Sequence, residues 1–167
     1  MIGVQIVTLI GFILFVIYNI WILILNKGRI PESLSETSYI LQNNYNKNYS
    51  YFFTIACVVL TFTLLPCWLE YNNETYQFLI MLSCSGLMFA GATPFFREDL
   101  EKPIHYTSAI ISGVSCCLWF ILTKNYEFLY FMLFGTIASM ILVRSFKPWL
   151  YFAEVYGVAC LVAFLCY

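Results

Sequence analysis

An all-α polytopic membrane bundle is the fold class this chain predicts, on three observations. Six runs of about 18 to 20 mostly apolar residues fill most of its 167 positions. Hydrophobic residues make up 62% of the chain and charged residues 10%, against the roughly 25% charged of soluble domains. The few Lys and Arg residues cluster in alternate connections between the runs. The runs are Ile6–Leu25, Tyr51–Leu69, Gln77–Phe96, Tyr106–Thr123, Tyr126–Val143 and Leu150–Tyr167. At ~1.5 Å rise per residue each is about 27–30 Å long, which matches the ~30 Å hydrocarbon layer. A single domain of six transmembrane helices over residues 1–167 follows, because no hydrophilic stretch is long enough to fold separately.

Each element has its local reasons. Met1–Thr8 carries no Lys or Arg, so the positive start of a cleaved signal peptide is missing. The first run is therefore expected to remain as a span, with Lys27 and Arg29 at its inner end. In the connection that follows, Pro31 precedes Ser33-Leu34-Ser35-Glu36. That spacing permits a capping box, with Ser33 as N-cap and Glu36 reaching back to its amide. It predicts a short interfacial helix over residues 34–42, dipping Leu34, Tyr39 and Leu41 toward lipid. Pro66 and Pro94 fall in the last turns of the second and third runs, where each kinks or ends a helix. In the fourth run Ser108, Ser112 and Cys116 recur every four residues with Ala109, Gly113 and Cys117 beside them. Such a stripe of small residues lets a second helix pack closely. Gly86 with Ala90 in the third run, and Gly135 with Ser139 in the fifth, read the same way. Tyr51, Trp68, Tyr76, Tyr106, Tyr126 and Trp149 sit near boundaries and read as interfacial anchors.

Orientation follows from the positive charges, because cytoplasmic loops retain Lys and Arg. The first loop holds Lys27, Arg29 and Lys47, the third Arg97 and Lys102, and the fifth Arg144 and Lys147; the remaining connections and tails hold Lys124 alone. Loops one, three and five are expected in the cytosol and both termini outside. Asn48-Tyr49-Ser50 and Asn73-Glu74-Thr75 match glycosylation sequons, but both hug the membrane and neither is taken as used.

Composition also excludes function classes. A net charge of −1 without a basic cluster argues against nucleic acid as a partner. The seven cysteines lie within or at the ends of spans, form no CxxC pair, and accompany a single histidine, so they read as packing residues. No metal set or cofactor motif is present to read.

Topology gathers the remaining polar residues at one end. Ser35 and Glu36, the acidic connection with Asp99, His105 leading the fourth run, and Glu154 inside the sixth all belong to the cytoplasmic side, with Asn19 approaching from the first run. His105, Ser108 and Ser112 are spaced i, i+3, i+7, which puts the imidazole on the small-residue face. A carboxylate within a span costs up to ~3 kcal/mol and so faces protein or water, and Gly157 leaves room beside Glu154. Each residue also has a structural role open to it: His105 bonding a loop carbonyl, Glu154 pairing with Arg144 or Lys147, Ser35 and Glu36 capping a helix.

These residues carry a resemblance. Ile30-Pro31-Glu32-Ser33-Leu34-Ser35-Glu36, and Gly91-Ala92-Thr93-Pro94-Phe95-Phe96 followed by Pro103-Ile104-His105, resemble segments of the DRAM/FRAG-type six-pass membrane proteins and their bacterial relatives. The resemblance implies six helices and makes Ser35, Glu36, His105 and Ala109 the shared positions. The chain departs from it at Thr37-Ser38, where a Gly is common, and in the charged Arg97–Glu101 segment.

The expected function is a non-catalytic bundle with a polar pocket at its cytoplasmic end, binding membrane lipids, or a second membrane protein or copy of itself through the small-residue faces. Two other classes stay open. One is an intramembrane lipid hydrolase with His105 as base and Ser108 or Ser112 as nucleophile. The other is a small pore or proton path through Asn19, His105 and Glu154.

Overall fold

In a computed structural model, which describes residues 2–71, 76–142 and 148–167, every regular element is helical. The helices are α1 (Ile2–Leu25), α2 (Thr37–Asn44), α3 (Tyr51–Tyr71), α4 (Gln77–Ala92), α5 (Glu101–Leu122), α6 (Tyr126–Leu142) and α7 (Trp149–Cys166), with one 3₁₀ turn, Lys47–Ser50, leading into α3. Four helical segments are long and apolar enough to cross a membrane: α1, Lys47–Tyr71, α5 and α7. The apolar helices α4 and α6 are shorter. Arg144 and Lys147, used above for orientation and as partners for Glu154, and the Asn73–Thr75 sequon lie outside the described residues.

The boundaries differ from expectation where local chemistry intervenes. Pro94 does not sit inside α4 but stops it: the helix ends at Ala92, and Thr93 adopts φ −112°, ψ 66°, because a residue before proline avoids the helical region. Pro66 is instead absorbed, and α3 continues past it to Tyr71. Helix α5 begins at Glu101, not Tyr106, so His105 lies one turn inside the helix rather than opening it. The Glu101 carboxylate accepts the Phe95 N–H at 2.8 Å, which folds the Thr93–Leu100 corner onto the start of α5.

Close backbone approach organises the packing. Gly86 of α4 has no space for a side chain: a Cβ there would stand 2.6 Å from the Ser108 carbonyl and 2.8 Å from the Ser112 nitrogen. Gly11 meets Thr63 of α3 and Gly135 meets the Tyr156 ring of α7 just as tightly. The bundle therefore forms from α1 on α3, α3 on α4, α4 on α5, and α6 on α7. Helix α5 touches α6 only slightly. Its exterior suits lipid. Ile6, Ile13 and Ile17 of α1 and Phe131, Phe134 and Ile141 of α6 are exposed, too many large apolar side chains for a water-facing surface.

Two cores fill the interior. The larger is aromatic at the end away from α2. Trp68 and Trp119 meet edge to face at 5.5 Å, and Phe164 packs against Trp119, Phe120 and Phe128. Trp68, expected as an interfacial anchor, is 1% exposed, so it is a core residue instead. The smaller core joins Tyr18 and Ile22 to Ile40 and Leu41 of α2. The expected short helix over 34–42 is present in shifted form, and Leu41 does not point toward lipid as expected. Helix α2 starts at Thr37, and Thr37, Ser38 and Leu41 are fully buried rather than dipped in lipid. The capping box forms only in part. The Glu36 N–H donates to Ser33 Oγ at 3.3 Å, but the Glu36 carboxylate accepts from the Glu32 N–H at 2.6 Å, one residue earlier than expected.

Candidate functional site

The first connection forms a strap across one end of the bundle. After Pro31 a series of tight turns links Glu36 to Ser33, Thr37 to Leu34 and Ser38 to Ser35 through their backbones. Glu36 closes this strap from within by its bond to the Glu32 N–H, and its other oxygen pairs with Arg97 at 3.0 Å. Two bonds dock the strap on α7: the Tyr151 N–H donates to the Glu32 carbonyl at 3.2 Å, and the Leu34 N–H donates to Glu154 Oε2 at 2.6 Å. Ser38 Oγ donates to the Pro94 carbonyl at 2.7 Å, the Arg97 N–H donates to the Tyr39 hydroxyl, and Lys47 stands 3.9 Å from Glu98. The first and third connections therefore meet at the same end of the bundle.

Beneath the strap lies a cleft of about 290 Å³ walled by α3, α4, α5 and α7, with Met132 of α6 also lining it. Leu34 and Ser35 roof it. Its walls are mostly apolar, and the α5 wall runs from His105 through Ala109, Ser112 and Gly113 to Cys116 and Cys117. Ala109 and Gly113 are exposed, and a Cβ on Gly113 would meet nothing within 4 Å. So the small-residue stripe is divided. The Ser108–Ser112 edge packs on Gly86, as expected of such a stripe, while the Ala109–Gly113 edge faces unfilled space. Gly157 faces the same space, with the Met132 methyl 4.0 Å from where its Cβ would be. Trp68 closes the far end, and its Nε1–H has no acceptor among the described residues.

His105 is 6% exposed. Its Nδ1 lies 2.9 Å from the Ala90 carbonyl and 3.1 Å from Thr93 Oγ1. A carbonyl only accepts, so the ring carries its proton on Nδ1. Thr93 Oγ1 is oriented by the Phe89 and Ala90 carbonyls, to which it donates. The other ring nitrogen, Nε2, has no hydrogen-bond partner among the described residues. The imidazole is held flat by Phe96, stacked at 4.8 Å. These contacts are the structural role considered above, a backbone carbonyl anchoring the ring, combined with a place on the cleft wall.

Of the candidate residues, Ser35, His105 and Glu154 line one cleft, as does Ser112. Glu36 acts at one remove, through the strap. Ser108 is buried against α4 and does not line the cleft. Asp99 is exposed on the loop and does not line the cleft, because the Thr93–Leu100 corner turns it outward. Asn19 also stands apart. It donates to its own Phe15 carbonyl at 2.8 Å and accepts from the Tyr151 hydroxyl at 2.7 Å, which ties α1 to α7. No hydroxyl meets His105 Nε2 among the described residues, so neither Ser108 nor Ser112 has the base contact a serine nucleophile needs.

Tyr151, Thr93 and Phe96, which support the strap and the His105 ring, were not proposed as site residues from sequence, and Trp68, which lines the cleft, was read only as an interfacial anchor. Only Tyr151 had a usable signal, since it lies three residues before Glu154 and hence on the same helical face. On the outer side of the strap is an open groove of about 440 Å³, bordered by Glu32, Glu36, Arg97, Lys102, Tyr106 and Trp149. Comparison with known families, with curated proteins and with solved structures returns no significant match to this chain.

Proposed function

We propose that this chain is a six-pass integral membrane protein that holds a membrane lipid in the cleft beneath the strap, without performing a reaction on it. One observation carries the reading: a single cleft has apolar walls along most of its height and a polar end made by Ser35, His105 and Glu154. That is the layout of an amphiphile. A volume of about 290 Å³ is at the low end of the ~300–1,000 Å³ of small-molecule sites, enough for one chain. The divided contacts of α5 leave the cleft open sideways, toward the lipid that would fill it.

Six crossings are part of the same proposal. Helices α4 and α6, at 16 and 17 residues, are about 24–26 Å long, and a bilayer thins locally to meet spans of that length at modest cost. The meeting of Lys47 with Glu98 and of Arg97 with Glu36 supports one shared side for the first and third loops. The cytosol is that side in this proposal, on the distribution of Lys and Arg. The DRAM/FRAG-type resemblance is retained on the same footing, since Ser35, His105 and Ala109 line the cleft.

The test is native mass spectrometry of the protein taken from membranes in mild detergent. Wild type is expected to carry a bound lipid. Gly113→Leu, whose side chain enters open space, is expected to lose it while unfolding at a temperature no lower than wild type. Retention of the same lipid by Gly113→Leu overturns the reading.

A further inference from the structure

The shape and the free hydrogen-bonding atoms of the cleft say more than that it holds lipid. Along α5 its wall extends from His105 to Cys117, twelve residues or ~18 Å of helix. A volume of about 290 Å³ spread along that wall is at the low end of the ~300–1,000 Å³ of small-molecule sites, which suits one hydrocarbon chain better than two. The wall chemistry agrees. Ala109, Gly113 and Gly157 leave a smooth channel, and Met132, with its unbranched thioether, adapts to whatever lies against it.

The polar end then selects the head. His105 commits its Nδ1–H to the Ala90 carbonyl, which leaves a lone pair on Nε2. Glu154 commits Oε2 to the Leu34 N–H, which leaves Oε1 without a partner among the described residues. Both open positions accept hydrogen bonds, and one belongs to a carboxylate. Ser35 Oγ, 3.1 Å from Ser33 Oγ, can turn either way. A head rich in N–H or O–H donors meets this end with complementary groups. A carboxylate or phosphate head brings only acceptors to this end, where the His105 lone pair is an acceptor as well. Among the described residues, the cations nearest the strap do not alter that. Arg97 pairs with Glu36, and with Lys102 it borders the groove on the strap's other face, where Glu32 and Glu36 balance them.

We propose that the cleft selects a single-chain amphiphile whose head donates hydrogen bonds, a long-chain alcohol or amine, with the head at His105 and Glu154 and the chain laid along Ala109 and Gly113 toward Trp68. This rests on the reading of the cleft as a lipid site and adds the class of lipid. The amphiphile reaches the cleft from within the bilayer, between α5 and the α6–α7 pair. It passes the exposed edge of Ala109 and Gly113, and the strap stays docked.

Three ligands of one chain length, an amine, an alcohol and a carboxylate of about 12–16 carbons to match the ~18 Å wall, are titrated into the protein in nanodiscs. Tryptophan emission reports arrival of the chain at Trp68, and a Trp68→Phe variant identifies that signal. The amine and the alcohol are expected to bind to saturation, and the carboxylate roughly tenfold or more weakly. Glu154→Gln keeps an oxygen for the Leu34 N–H but turns the open Oε1 acceptor into an N–H donor, and is expected to bring the amine and the carboxylate within a few-fold of each other. Gly113→Leu is expected to exclude all three. If the carboxylate binds wild type as tightly as the amine while Gly113→Leu still excludes both, the lipid site stands and the choice of head is overturned. If only two-chain lipids occupy the cleft, the single-chain assignment is overturned. If Gly113→Leu changes no titration, the lipid site itself fails.

Discussion

Two glycines on facing helices should respond to the same substitution with opposite signs. In Gly86→Ala the new methyl would stand 2.6 Å from the Ser108 carbonyl, so α4 and α5 must part by about 0.8 Å to restore ordinary contact at 3.4 Å. That movement stretches the bond from Ser83 Oγ to the Ser112 carbonyl from 2.9 Å to beyond hydrogen-bonding distance, and strains the 2.9 Å contact of His105 with Ala90. Overpacking of a tight contact costs about 1–3 kcal/mol, and an interhelical hydrogen bond in a membrane protein adds ~0.6 kcal/mol. Alanine's better helix propensity offsets roughly 0.5–1 kcal/mol, so a net loss of ~1–3 kcal/mol is expected. At Gly113 a Cβ meets nothing within 4 Å, so only the propensity gain of roughly 0.5–1 kcal/mol remains. The assay is reversible unfolding of the two variants side by side in detergent. Destabilisation of both by the same amount would refute the divided packing of α5, and with it the cleft.

Other outcomes follow from the same contacts. Glu154→Leu removes the acceptor for the Leu34 N–H, 2.6 Å away, and hydrogen exchange at that amide should quicken roughly 10- to 100-fold, since leaving a buried donor without its partner costs ~1–3 kcal/mol. Glu154→Gln should leave most of that protection in place, and equal exchange in the two variants would show the strap is not held there. Asn19→Leu and Tyr151→Phe should be coupled in a double-mutant cycle by ~0.6–1.7 kcal/mol, and simple additivity would mean the 2.7 Å bond joining α1 to α7 is not made. Trp119→Ala, at a side chain with 0% exposure, should cost ~3–5 kcal/mol in unfolding experiments, whereas Phe134→Ala, 72% exposed, should stay within about 0.5 kcal/mol of wild type.

Much of the fold was legible because lipid imposes a simple rule: a span is a long apolar run, and its ends are set by charge and proline. The all-helical class, the approximate helices and the co-location of Lys47 with Arg97 follow from that rule. Misreadings occur where packing decides. Trp68 has the position of an anchor, but Trp119 and Phe164 offer it an aromatic core. Leu41 has the pattern of an interfacial helix, but Tyr18 and Ile22 bury it. Of the site, Ser35, His105 and Glu154 could be grouped from topology alone. The bond between Glu154 and the strap could not, because its donor is the backbone of Leu34, and a backbone amide leaves no mark in a sequence. Nor could the cleft. A row of small residues such as Ala109 and Gly113 reads the same whether a helix covers it or not, and only the choice of α4 as α5's main neighbour leaves that edge open.

Everything proposed for the cleft needs the strap and the corner before α5 to share one side of the membrane, opposite the turn between α5 and α6. Side-selective labelling of single cysteines, Lys47→Cys, Arg97→Cys and Lys124→Cys, each in a chain otherwise cleared of reactive thiols, measures this directly. The first two positions should label from the same face and the third only from the other. Labelling of positions 47 and 97 from opposite faces would contradict the account.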